Sequence, residues 1–170
     1  AVCDLTVHQG KGELGIVTSA RLDTFFSHIL TDYDRLQFAY YALKDISKAT
    51  EILSEPAFFD LLRETLKHLN DESVDLAITD LWYRLQIAIL LGLGINLSTD
   101  ANGMKLVEDA KYRFNVDEMS FVYDERGEYT SEHIKLLRVM SAQSPHVVAQ
   151  IKNIGELINT VYNIGRIAHE

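Results

Sequence analysis

The segment Leu85–Leu91 constrains this fold more than any other stretch of the chain. Leu85, Ile87, Ala88, Ile89, Leu90 and Leu91 are interrupted only by Gln86. A helix that is apolar nearly all round has to be enclosed by other elements. The run is too short to cross a membrane, which takes about 20 apolar residues. It therefore reads as the second half of a buried central helix, which Ser73 can cap and which Gly92-Leu93-Gly94 ends.

The flanking sequence supplies helices to enclose it. Leu36, Ala39, Tyr40, Leu43, Ile46, Thr50 and Leu53 recur at helical spacing, predicting a helix from about Asp32 to about Leu53. Pro56 suits a first helical position, and Phe58, Leu61, Leu62, Thr65, Leu66 and Leu69 form a stripe behind it. Ile134, Leu137 and Val139 or Met140 predict a short helix after Ser131, and Ser144-Pro145 opens a turn. Ile154, Leu157, Ile158, Val161, Gly165 and Ala168 outline a last helix. Residues 95–130 are weakly patterned, with short strands expected at Phe114–Val116 and Met119–Tyr123 and a turn at Asp124–Gly127. At the start, residues 2–8 and 13–18 predict a β-hairpin around Gly10-Lys11-Gly12, with helical periodicity from Arg21. A lone hairpin is marginal in water. It is expected to join a larger sheet or to pack on the helices.

A length of 170 residues suits one domain, or a small domain with an appendage. The single cysteine, Cys3, excludes a disulfide framework and a cysteine-built zinc site. Near the N-terminus there is neither a basic region nor the apolar run of a signal peptide, so a cytoplasmic protein is expected. The strand that begins directly after Ala1 suggests a truncated chain. A net charge of −9 argues against a strongly basic nucleic-acid binder. Residues 133–169 differ: Lys135, Arg138, Lys152 and Arg166 oppose one acid, Glu156, for a net charge of +3.

No residue pattern points to catalysis. His133, His146 and His169 share no helical spacing that would bind a metal. Cys3 and His8 are five apart on a strand and point to opposite faces, so Cys3 reads as a small packed hydrophobe. The Gly10–Gly15 glycines lack the context of a phosphate loop, and Asp60 and Glu64 beside Arg63 read as a solvated helix face. The adjacent pairs Phe25-Phe26, Tyr40-Tyr41, Phe58-Phe59 and Trp82-Tyr83 point about 100° apart on a helix. One member of each is expected in the core and the other at the surface, where it could line a groove for a partner peptide.

Several segments together resemble the RecO family of bacterial DNA-repair proteins. Gly10-Lys11-Gly12-Glu13-Leu14-Gly15-Ile16-Val17-Thr18-Ser19-Ala20 is similar to the end of that family's N-terminal domain. Asp34-Arg35-Leu36 and Phe58-Phe59-Asp60-Leu61-Leu62 follow in order. Ile87 to Gly94 resembles the family's L-L-x-L-L-G-Y-G, and Tyr162-Asn163-Ile164-Gly165-Arg166 its closing Y-x-x-x-L-G-[KR]. The resemblance implies a mainly α fold. An N-terminal hairpin (1–20), left from an OB-fold barrel, would precede a helical domain (21–170) with a short β insertion. Many members carry a four-cysteine zinc module after the L-G-Y-G stretch. Here Asp100 and Gly103 hold the first pair of positions and no cysteine lies near Gly127. No metal or other cofactor is expected, and the segment must be held by packing. The family's F-E-x-[RK]-L-L reads Tyr83-Arg84-Leu85-Gln86-Ile87-Ala88 here.

What the resemblance implies is a recombination mediator and not an enzyme. Such proteins bind single- and double-stranded DNA, anneal complementary strands, and help load recombinase onto strands coated by single-strand-binding protein. They act with RecR and with the acidic, Phe-ending tail of single-strand-binding protein. Lys11, Lys135 and Arg138 are the expected DNA contacts, and Lys152 and Arg166 the expected partner contacts. The alternative is a helical protein-interaction module without DNA affinity.

Overall fold

A computed structural model describes residues 1–10, 12 and 14–169, with His169 described by its backbone alone. The chain begins with an antiparallel hairpin of β1 (Val2–Gln9) and β2 (Gly15–Thr24), followed by a 3₁₀ turn at His28–Thr31. The helices are α1 (Tyr33–Thr50), α2 (Pro56–Leu69) and α3 (Leu76–Leu90). Strands β3 (Asn96–Asp100), β4 (Tyr112–Asn115) and β5 (Ser120–Tyr123) come next. The chain closes with α4 (Ser131–Ala142), α5 (Pro145–Val148) and α6 (Ile154–His169). About half of the chain is helical.

The caps explain why the helices begin where they do. The Asp32 carboxylate accepts from the backbone N–H of Asp34 and Arg35, satisfying two of the donors a helix start leaves open. Pro56 opens α2, where a missing N–H costs nothing. Asp75, not Ser73, caps α3, and Ser73 instead bonds the Asp71 carboxylate in the connecting turn. Gly92, at φ +78, ends the α3 region in the left-handed conformation that glycine adopts without strain.

Helix α3 is the hub. Ile78, Leu81, Tyr83, Leu85, Ile87 and Ala88 are buried, with α2, α4, α5 and α6 packed around them and α1 meeting Tyr83. Burial is densest before the segment that the composition singles out, and Ile89 returns to the surface at 44% exposure. At Gly165 of α6, an added Cβ would stand 2.3 Å from Leu81 Cδ1. Glycine thus lets α6 approach α3 closely. Trp82 donates to the Gln143 carbonyl (2.9 Å), and Gln86 donates to those of Met140 (3.0 Å) and Ser141 (3.2 Å). Two side chains of α3 therefore satisfy carbonyls that the end of α4 leaves open. The aromatic pairs split as expected at Phe25-Phe26, Tyr40-Tyr41 and Phe58-Phe59. Trp82 and Tyr83 are both buried, because at this level α3 is covered on two sides, Trp82 meeting the end of α4 and Tyr83 meeting Phe38 of α1.

The β insertion has three strands in the order β3-β5-β4, with β3 parallel to β5. Strand β3 lies outside the two expected strands, since Asn96–Asp100 is polar apart from Leu97 and its sequence carries no apolar alternation. Two turns of the same form, Asp-x-x-Gly, shape the insertion. The Asp100 carboxylate accepts from Asn102 (2.9 Å) and Met104 (2.8 Å) N–H, and that of Asp124 accepts from Arg126 N–H (2.9 Å). A Cβ on Gly127 would lie 2.2 Å from the Tyr112 carbonyl oxygen, so only glycine fits. Between the turns Phe121, 0% exposed, meets Tyr112, Phe114 and Tyr129 edge-on at 6.3, 5.4 and 5.7 Å. Aromatic packing holds the segment. Among the described residues no group of three His, Cys, Asp or Glu side chains could hold a metal.

The hairpin departs most from expectation. Strand β2 runs through Arg21 to Thr24, past the start expected for helical periodicity, because Leu22 pairs with Cys3 and Arg21 with Asp4 across the ladder. Among the described residues the ribbon joins no larger sheet, and only Val2 at its base packs on the helices, against the cluster of Phe26, Ile29, Ala39, Leu66 and Leu69. Cys3, Leu5 and Val7 share one face with Val17, Ala20 and Leu22, and all six are exposed. Cys3 is thus an exposed thiol and not a packed one. Lys11 lies outside the described residues, as does Glu13.

Candidate functional site

A concavity in the region of positive charge lies between α4 and α6. It encloses about 660 Å³ over an apolar floor of Leu136, Val139, Ile151 and Leu157. Helix α4 brings Lys135 to the rim. The turn before α6 brings Lys152 and Asn153, the latter at φ +57. Glu132, Glu156 and His133 share the rim, so it carries both signs of charge.

Local bonds fix these side chains. His133 is the third residue of α4, and its Nδ1 accepts the backbone N–H of Thr130 at 3.0 Å. Burial lowers the pKa of this imidazole, opposed by the nearby carboxylates of Glu132, Glu128 and Glu156. The neutral ring keeps its acceptor nitrogen for the cap. Lys135 Nζ bonds the Glu108 carboxylate from the loop after β3. That hydrogen bond, with the charge of Lys135, lowers the pKa of Glu108.

The candidate cations are thus divided. Lys135 and Lys152 come together at one groove. Arg138, one turn beyond Lys135, turns to β3 and donates Nε (2.9 Å) and an Nη (2.6 Å) to the Leu97 carbonyl. Arg166 is exposed near the end of α6, outside the groove, and its charge reaches Tyr162. A second polar cluster joins α1, α3 and α6. Arg84 Nε donates to Asp80 (2.6 Å), Arg84 Nη1 donates to the Tyr41 hydroxyl (3.1 Å), and the Tyr162 hydroxyl donates to Asp80. Asp80 and Arg84, at i and i+4 on an otherwise apolar helix, carry a sequence signal for this cluster. Glu108 carries none, because it meets Lys135 across 27 residues of sequence.

The fold is a hub helix, α3, with five further helices, a small β insertion and a groove rimmed by Lys135 and Lys152. Comparison with protein families gives the class a name. The model for the recombination protein O C-terminal domain matches residues 30–156, three-quarters of the chain. The chain belongs to this family, whose role lies in DNA recombination and repair. No curated protein and no solved structure matches the chain. No helix among the described residues is long and apolar enough to cross a membrane.

Proposed function

We propose that this chain is the helical part of a cytoplasmic recombination mediator that works by binding and not by catalysis. It binds single- and double-stranded DNA, anneals complementary strands, and helps load recombinase onto strands coated by single-strand-binding protein. RecR is its working partner. The observation that carries this reading, beside the family, is the α4–α6 groove, where Lys135 and Lys152 flank an apolar floor. An acidic tail ending in Phe suits that chemistry: the ring enters the floor and carboxylates meet the Lys152 ammonium, with Lys135 adding positive potential at the rim. Lys152 receives the tail, with Arg166 a secondary anchor. Lys135 and Arg138, with Lys11, contact DNA phosphates. The hairpin of β1 and β2 belongs to an OB-type barrel, and the helical domain follows it. The ribbon's bare apolar face and its unpaired outer edges support that role.

The test is calorimetric titration with an acidic tail peptide, with and without its terminal Phe. Removing the ring should weaken binding about tenfold or more, the scale of burying one large apolar side chain. Lys152→Glu should do the same. Equal binding of the two peptides would overturn the assignment. One observation favours a protein-interaction module without DNA affinity: Lys135 and Arg138 already bond within the chain, which carries a net charge of −9. Oligonucleotide affinity that falls steeply with salt separates the two readings.

A further inference from the structure

A second concavity, of about 720 Å³, has the opposite chemistry to the α4–α6 groove. It lies where α1 passes the start of α3, walled by Phe38, Tyr40, Tyr41 and Leu76, with Asp34 and Asp80 at its edges. None of the described residues lining it is basic. Tyr40, 66% exposed, presents its ring to solvent, and the Asp34 carboxylate has no ion pair among the described residues. On the inner side the polar cluster already shows what these walls accommodate. The Arg84 guanidinium stands 5.0 Å over the Tyr41 ring while bonding the Asp80 carboxylate. Of the two carboxylates lining the pocket, Asp80 is paired with Arg84 while Asp34 forms no ion pair among the described residues, which leaves an acidic surplus at the mouth. Asp45 accepts from the Tyr83 hydroxyl at 2.7 Å.

We propose that this pocket receives an arginine or lysine side chain from a basic segment of a partner protein. The cation stacks on the exposed Tyr40 ring and pairs with Asp34, repeating on the outer wall the arrangement of Arg84, Tyr41 and Asp80. The aliphatic stem lies along Phe38 and Leu76. Charge decides the occupant. Carboxylates repel a phosphate backbone, and a second copy of this chain would bring another −9. A basic segment is complementary.

The test is fluorescence anisotropy of a labelled ten-residue arginine–alanine peptide with the full chain, against the same peptide carrying citrulline for arginine. Y40A and D34N alter exposed residues and leave the core intact. D117N/E125Q removes charge from the distant β insertion as a control for general attraction to an acidic protein. Y40A and D34N should each weaken the arginine peptide about threefold to tenfold, the scale of a cation–π contact or a partly exposed ion pair. The control should stay within about twofold, and citrulline should abolish the preference. No binding of the arginine peptide, unchanged affinity in Y40A, or a control as damaging as D34N would overturn the proposal. The acidic tail peptide should not compete, because its groove lies between other helices.

Discussion

Replacing Phe121 with alanine tests whether aromatic packing alone organises the β insertion. Phe121 is 0% exposed, and three rings meet it edge-on between 5.4 and 6.3 Å. Truncating a buried phenylalanine costs about 3–5 kcal/mol, through lost burial and the cavity left behind. Each lost aromatic pair accounts for about 0.5–1.5 kcal/mol of ring-specific attraction. The enclosure is tight and has little room to relax, so about 4 kcal/mol is expected. With a urea slope of about 2 kcal/mol per molar, the midpoint should fall by about 2 M. Leucine, which keeps most of the volume, should cost about half as much or less. Urea denaturation followed by the single Trp82 reads the hub, while far-ultraviolet circular dichroism reads the whole chain. Coincident transitions are expected, since Phe121 and Trp82 belong to one core. A chelator should leave both curves where they are. A loss below about 1 kcal/mol in F121A, or a chelator-induced shift comparable to the mutation, would refute the reasoning.

Three further outcomes follow from the geometry. Arg35, its side chain 11% exposed, donates to the carbonyls of Leu69, Asp71 and Val74 at 2.7–3.1 Å; R35M should cost about 2–4 kcal/mol in urea denaturation, because it strands buried acceptors. Burial lowers the pKa of both His68 and His133 from 6.5, so below that pH the unfolded chain binds protons that the folded chain excludes. Stability should be full above about pH 6.5 and decline as pH falls through the lower folded values; H68Q/H133Q should flatten that decline in thermal melts, glutamine keeping the cap at 133. Finally, E108Q frees Lys135 and should raise affinity for an acidic peptide about twofold, with a steeper salt dependence, by anisotropy titration.

How far the sequence carried the fold depended on whether a signal was local. Periodicity and caps are local, so Asp32, Pro56 and Gly92 marked α1, α2 and the end of α3. The end of β2 was not readable, because Arg21–Thr24 is strand only through pairing with β1. Polar β3 belongs to its sheet through its neighbours and not through alternation. For the site, the excess of cations over residues 133–169 pointed to α4 and α6, between which the groove lies. It could not say that Lys135 and Lys152 converge while Arg138 turns to Leu97, since that depends on helix rotation. The acidic aromatic pocket was half legible. The Tyr40-Tyr41 pair suggested an exposed ring, but Asp34 and Asp80 reach it from two helices.

The central claim, a cation-rimmed groove that takes an acidic Phe-ending tail, is tested most directly by amide chemical-shift mapping. The full chain, labelled with nitrogen-15, is titrated with the tail peptide. Shifts concentrated in α4 and in residues 151–160, and absent in Lys152→Glu, are the predicted result. Shifts centred elsewhere, or the same pattern from a peptide without the terminal Phe, would contradict it.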